Sequence, residues 1–208
     1  MQIFYGECGP ISVNTYFVAD ETTGRCIVID PGDADFVREV LKEKELSLEA
    51  ILLTHGHFDH VMGVKKLKDA TGAKIFLHKN DVEMLSAPAA YTAAFPGIVV
   101  EPAETDIVLN GGETLELLGA SFRVLHTPGH TPGGVCYVLD SEKTVFCGDT
   151  IFFGSIGRAD FPYSNPMMLI ASIKKKIVPL PEDYSLCPGH GGSTNVGYEK
   201  AHNPYIGR

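Results

Sequence analysis

The six residues His55-Gly56-His57-Phe58-Asp59-His60 constrain this chain more than any other stretch. They place three imidazoles and one carboxylate directly after Thr54, at the end of the apolar run Ala50-Ile51-Leu52-Leu53. That run has the length and composition of a buried strand. A sheet interior does not hold so many ionisable side chains, so the strand must end there and pass the cluster to a loop. A loop at a strand end folds several imidazoles and a carboxylate around one point. Imidazole nitrogen and carboxylate oxygen suit zinc, manganese or iron, and no thiolate is needed.

The rest of the chain is read around that point. Residues 2–5, 12–19 and 25–30 are rich in β-branched and aromatic side chains and read as strands. Pro31-Gly32 stops the third, and Asp33 caps a helix over 34–45, with Phe36, Val37, Val40 and Leu41 on one face. After the histidine cluster, Val61, Val64 and Leu67 predict a short helix ended by Gly72; a strand at 74–77 and a helical turn at 80–86 follow. Residues 87–105 contain three prolines and no clear period, and are read as a loop over the site. A second half starts near Gly111-Gly112, with strands at 114–118, 121–126, 134–139 and 144–147. Ser164-Asn165-Pro166 opens a helix running to about Lys176, because proline at the first turn loses no hydrogen bond there. A last strand at 184–187 ends in Pro188-Gly189-His190. Each half thus closes on an apolar strand that delivers a histidine, which fits two sheets packed face to face with helices outside. An ordinary α+β domain fits the element order nearly as well, and the motifs decide.

Three more segments carry candidate ligands. His130 lies in Thr127-Pro128-Gly129-His130-Thr131-Pro132-Gly133-Gly134, where prolines and glycines fix a tight loop. Asp149 follows strand 144–147, and His190 sits in Pro188-Gly189-His190-Gly191. Each alone is as well explained by a loop surface or a turn cap. Together with the cluster they supply five histidines and two aspartates. One catalytic metal needs three protein ligands plus water, so seven serve two metals sharing a carboxylate. His78, His126 and His202 fall outside these motifs and are read as structural, with His126 a group behind the site.

Composition narrows the function. The chain has 208 residues, 44% hydrophobic and 21% charged, which suits one folded domain spanning 1–208. Its net charge of -9 repels phosphate backbones and argues against nucleic acid as a partner. The apolar runs are strand-sized, so no membrane partner is expected, and Met1-Gln2-Ile3-Phe4-Tyr5 does not resemble a secretory signal. Five cysteines, an odd number without CxxC spacing, argue against a disulfide framework and for the cytoplasm. Cys26, Cys136 and Cys147 lie in strand-like runs and read as small core residues.

THGHFDH (54–60), His130 in TPGHTPGG, GDT (148–150) and PGHG (188–191), in this order, resemble the metallo-β-lactamase-fold hydrolase superfamily. FCGDTIFFGSIGRADFP (146–162) is most similar to its bacterial glyoxalase II-like branch. The resemblance implies an α+β fold, a four-layer αββα sandwich with metals at the edge between the sheets. It implies that His55, His57 and His130 hold one metal, that Asp59, His60 and His190 hold a second, and that Asp149 bridges them. The implied cofactors are two divalent ions, zinc first, with iron or manganese also accommodated. The implied activity is hydrolysis of a thioester such as S-lactoylglutathione by a hydroxide bridging the metals, with Asp59 holding that hydroxide and taking its proton. Arg158 then contacts the glutathione carboxylate, and Tyr163 lines the same mouth.

The long glyoxalase II type carries a further helical domain with glutathione-binding basic residues. Only about 18 residues follow His190 here, which widens the expected range to other thioesters and lactones. A mononuclear-iron persulfide dioxygenase is the main rival, since it shares HxHxDH and the GRxDF stretch at 157–161. A zinc β-lactamase ranks lower, because many of those place cysteine where Asp149 stands.

Overall fold

The structure, a computed structural model, describes residues 1–93 and 95–206. Their contacts divide the chain into two units, Met1–Leu109 and Asn110–Arg208.

The first unit is built on a six-stranded mixed sheet. Strands β1 (Gln2–Cys8), β2 (Val13–Asp20) and β3 (Arg25–Ile29) form an antiparallel meander. Helix α1 (Ala34–Glu43) then crosses over to β4 (Ser47–Leu52), which pairs parallel to β3. Asp33 caps α1 by accepting from the Phe36 N–H at 2.9 Å, and Val37 and Leu41 bury its apolar face. The predicted helix after the histidine cluster is two helices, α2 (Phe58–Val61) and α3 (Val64–Thr71). The first turn bends off because the Gly63 N–H turns back to the Pro31 carbonyl at 2.9 Å. Gly72 ends α3 in the left-handed conformation, φ 72°. Strand β5 (Lys74–His78) pairs parallel to β4.

Helices α4 (Val82–Ser86) and α5 (Ala89–Thr92) precede β6 (Ile107–Leu109), parallel to β5 at the sheet edge. Region 87–105, expected as a plain loop, therefore contains a helical turn; its position 94 lies outside the described residues. The region does not hang free of the core. Phe95 packs on Phe58 of the histidine motif, ring centroids 4.9 Å apart, and Val100 and Ala103 are buried in the same core as Ile51 and Leu53. Its apolar residues are too scattered for a period, yet Phe95, Ile98, Val100 and Ala103 meet the core as the chain crosses it, while Val99 stays exposed.

The second unit holds another six-stranded sheet. Strands β7 (Thr114–Leu117), β8 (Ala120–His126), β9 (Val135–Leu139) and β10 (Thr144–Gly148) run antiparallel in sequence order. A short hairpin of β11 (Ile151–Phe152) and β12 (Ser155–Ile156) stands apart from that sheet. Helix α6 (Pro166–Ser172) starts where predicted. Asn165 accepts from the Met168 N–H at 3.0 Å, with Pro166 at the first helical position. The helix then widens into a π-type turn over 173–177, ending close to the predicted Lys176. Strand β13 (Ser185–Pro188) pairs parallel to β10, and β14 (Thr194–Asn195) and α7 (Val196–His202) follow. The core of this unit joins Cys136, Val138, Val145, Leu169, Ile173 and Leu186. Among the described residues no helix is long and apolar enough to cross a membrane.

Candidate metal centre

Each unit gathers part of the predicted ligand set at the C-terminal ends of its central strands. In the first unit the chain leaves β4 through Thr54, and His55, Asp59 and His60 are all buried. The His55 and His57 rings meet edge to face at 4.7 Å, and the His55 and His60 centroids are 4.0 Å apart.

Asp30, which sequence reasoning missed, organises this cluster. Its Oδ1 accepts from the Thr54 N–H at 2.8 Å, and its Oδ2 accepts from the Thr54 hydroxyl at 2.6 Å. His60 Nδ1 donates to the same Oδ2 at 2.9 Å. Because the Thr54 proton is committed to Asp30, the Thr54 oxygen faces His55 Nδ1 at 3.1 Å as an acceptor. One carboxylate thus fixes the tautomer of two imidazoles and leaves both Nε2 atoms as lone-pair donors. Asp30 holds this place with a left-handed backbone, φ 53°, which aspartate tolerates better than most residues. The available signal was an aspartate at the end of β3, next to the strand that delivers the motif. A second buried carboxylate, Asp81, accepts from the Gly56 N–H at 3.1 Å and ties the motif to α4. Glycine is needed at 56, since a Cβ there would stand 2.5 Å from the Met84 Cβ.

In the second unit the TPGHTPGG loop is fastened to α6. The Asn165 N–H donates to the Gly129 carbonyl at 2.8 Å, the Ser164 hydroxyl to the His130 carbonyl at 2.6 Å, and the Ser172 hydroxyl to the Pro128 carbonyl at 2.8 Å. Gly129 lies so close to α6 that a Cβ would stand 2.3 Å from the Leu169 nitrogen. His130 Nδ1 donates to the Arg158 carbonyl at 2.7 Å, so its Nε2 carries the lone pair. That Nε2 faces Asp149 Oδ2 at 3.4 Å, and His190 Nε2 faces Asp149 Oδ1 at 3.9 Å.

These residues fit a divalent cation. His130 Nε2 and Asp149 Oδ2 are both electron-pair donors, as are His60 Nε2 and Asp59 Oδ2 at 3.2 Å. Two such atoms side by side repel unless a proton or a metal cation lies between them. Donors bound to one tetrahedral metal at about 2.1 Å stand about 3.4 Å apart, close to both spacings. The backing groups, a carboxylate behind His60 and a backbone carbonyl behind His130, are those metal-bound imidazoles regularly use.

The remaining predicted residues lie beside His130. The Arg158 guanidinium makes a bidentate pair with Asp160, 2.7 and 2.8 Å, and rests over the Phe161 ring at 4.4 Å. The hydrogen bond from Arg158 holds the Asp160 carboxyl below its usual range. Phe161 stacks on Tyr163 at 5.6 Å and meets the His130 ring at 6.1 Å. Of the histidines read as structural, His126 Nε2 lies 3.0 Å from the Pro132 carbonyl in the His130 loop, and His202 stacks on Tyr198. All five cysteines are free thiols.

Known proteins similar to this chain give its family and fold. Residues 8–190 match the metallo-beta-lactamase superfamily. The chain is 35% identical over 195 residues to hydroxyacylglutathione hydrolase GloC of Haemophilus influenzae, covering 93% of this chain and 92% of that protein. It is 34% identical over 200 residues to the "Probable metallo-hydrolase YqgX" of Bacillus subtilis, covering 95% and 94%. Among solved structures, the BLEG-1 B3 metallo-beta-lactamase superposes with a TM-score of 0.94 at 35% identity over 100% of both chains. The protein TTHA1623 in a di-iron-bound form gives a TM-score of 0.88 at 35% identity, covering 97% and 99%. With two main sheets, mixed α/β layers and a family match over most of its length, this chain belongs to the metallo-beta-lactamase superfamily of metallo-hydrolases and has its αββα sandwich fold.

Proposed function

We propose that this chain is a thioester hydrolase of the hydroxyacylglutathione hydrolase type, working in the cytoplasm as one domain with two divalent metal ions. His55, His57 and His130 hold one ion, Asp59, His60 and His190 the other, and Asp149 serves both. The observation that carries the reading is the pairing of lone-pair atoms, His60 Nε2 with Asp59 and His130 Nε2 with Asp149, each imidazole locked in that tautomer from behind. The Haemophilus relative named hydroxyacylglutathione hydrolase supports the substrate class. Zinc is the first choice of metal, and the di-iron form of the similar TTHA1623 supports iron as the alternative.

When bound, the metals lower the pKa of water toward neutrality and polarise the acyl carbonyl. The chain's own groups do the rest. Asp59 orients the attacking water and takes its proton at a carboxylate oxygen. Asp30 and the Arg158 carbonyl keep the imidazoles from turning, so little reorganisation accompanies the reaction. The Arg158 side chain offers its guanidinium to the carboxylate of the departing thiol, and Tyr163 lines that mouth. A thiolate leaves readily, so no dedicated acid is required for the leaving group.

The test is elemental analysis of the purified protein beside hydrolysis of S-lactoylglutathione, before and after chelation and with zinc or iron restored. Two metals per chain and turnover that returns with metal support the proposal. A single iron, oxygen uptake with glutathione persulfide and no hydrolysis overturn it in favour of a dioxygenase.

A further inference from the structure

The β11–β12 hairpin has only two residues in each strand, Ile151–Phe152 and Ser155–Ile156. A hairpin that short does not hold its own shape in water. It is nonetheless the segment that connects Asp149 to Arg158. Phe152 meets the His190 ring edge-on, with centroids 6.4 Å apart. Just beyond the hairpin, Gly157 lies so close to Asp149 that a Cβ would stand 1.8 Å from the Asp149 carbonyl oxygen. The next residue gives its carbonyl to His130 Nδ1. All three second-unit ligands therefore depend on where this hairpin rests.

What holds it comes from α7. Glu199 is 1% exposed, an unusual place for a carboxylate. The Gly154 N–H at the hairpin tip donates to both of its oxygens, at 3.1 Å each. The Thr194 hydroxyl donates to Oε1 at 2.7 Å and the Asn203 amide to Oε2 at 2.7 Å. The same Asn203 amide nitrogen also donates to the Ser155 carbonyl at 2.9 Å. Two residues one helical turn apart thus grip the amide of Gly154 and the carbonyl of Ser155. On the outer side, Phe153 stacks on Tyr198 of the same helix, centroids 4.8 Å apart. Burying a carboxylate is costly unless several donors meet it, and here the donors include the turn itself.

We propose that Glu199 is a positioning residue for the metal ligands of the second unit. It fixes the tip of the β11–β12 hairpin, and through it the placement of Asp149, the seat of Phe152 on His190 and the carbonyl that orients His130. The proposal rests on the ligand assignment above. Glutamine is the informative replacement, being equal in shape. Every neighbour of the carboxylate is a donor, so one side of the amide presents an NH2 group to the Gly154 N–H however it is turned.

The experiment uses the whole 208-residue chain freed of metal. Zn2+ affinity is measured by competition with a chromophoric chelator, and the His190 ring resonances are followed by NMR. Glu199→Gln is compared with Val196→Ala, a core truncation in the same helix, and with Phe152→Leu as the reference for a lost ring current. We expect Glu199→Gln to weaken Zn2+ binding about tenfold and to move the His190 signals toward those of Phe152→Leu, while Val196→Ala loses thermal stability and changes neither. Wild-type zinc affinity and His190 shifts in Glu199→Gln overturn the proposal. So does a Val196→Ala protein that reproduces both effects, because the role would then be merely structural. If Glu199→Gln does not fold, Asn203→Ala, which releases the Ser155 carbonyl, is read in the same way. A wild type that takes up no zinc sinks the metal assignment, while the His190 comparison still decides the clamp.

Discussion

Asp30 Oδ2 sits 2.9 Å from His60 Nδ1 and also accepts the Thr54 hydroxyl at 2.6 Å, so two elements of the metal cluster share one oxygen. Asp30→Ala strands three buried donors, each costing about 1–3 kcal/mol when left without an acceptor. The expected loss is about 3 kcal/mol or more by urea unfolding. Asp30→Asn keeps the shape but sets an NH2 group against those donors. We expect it to fold and to bind metal about 10–100-fold more weakly, measured by chelator competition. Metal affinity equal to wild type in Asp30→Asn would show that the carboxylate does not orient the imidazoles.

Two glycines three positions apart in sequence, 154 and 157, separate backbone strain from steric exclusion. Gly154 has φ 63° and nothing within 4 Å of an added Cβ, so Gly154→Ala bears only the left-handed backbone penalty of about 1 kcal/mol. At Gly157 an added Cβ meets the Asp149 carbonyl and comes within 3.4 Å of His130 Nδ1. Gly157→Ala should cost more than about 3 kcal/mol and lower the bound metal. Thermal unfolding and elemental analysis of the pair check this. Equal melting temperatures for the two variants would contradict the close approach at Gly157.

The contrast between Asp30 and the histidine motif explains how much of this site was legible. The motif announces itself because several metal-binding groups crowd one strand end, and that density has few other physical explanations. Asp30 is a single aspartate before Pro31-Gly32, a setting that turns and caps produce routinely. Its role depends on β3 and β4 being parallel neighbours, with Ile29 opposite Leu52, and no local pattern encodes that pairing. The fold shows the same division. Strands with apolar runs and helices with caps, such as α1 behind Asp33 and α6 behind Asn165, were readable. The β11–β12 hairpin and α7 were not, because two-residue strands have no period and Glu199 reads as an ordinary surface charge.

Arg158 presents its guanidinium to Asp160 while its backbone carbonyl holds His130, so side chain and main chain serve different ends. Arg158→Ala should leave metal content unchanged and raise KM for S-lactoylglutathione about tenfold, with kcat nearly constant. Asp160→Asn releases the guanidinium and should lower KM for the same anionic substrate. Both residues are exposed, so neither change should shift thermal stability noticeably. Steady-state kinetics on the two variants decide it. A kcat loss without a KM change in Arg158→Ala would move this residue from binding into another role.

The buried thiols give the chain an alkaline limit. Burial pushes Cys26 up to about 12 and Cys136 to about 11, against 9.0 for an ordinary cysteine. Folding therefore raises both above their unfolded values, and the unfolded chain releases these protons first as pH rises. The stabilisation is fully present below about pH 9 and is lost as pH climbs through the folded values. Within that window each thiol should remove about 1.4 kcal/mol per pH unit. Cys26→Ala loses one titrating group as well as some packing in the first core. Its stability should start lower than wild type near neutral pH and fall less steeply above pH 9. Urea unfolding of both proteins from pH 7 to pH 11 measures the two slopes. Parallel curves across that range would mean that Cys26 is not held protonated by burial.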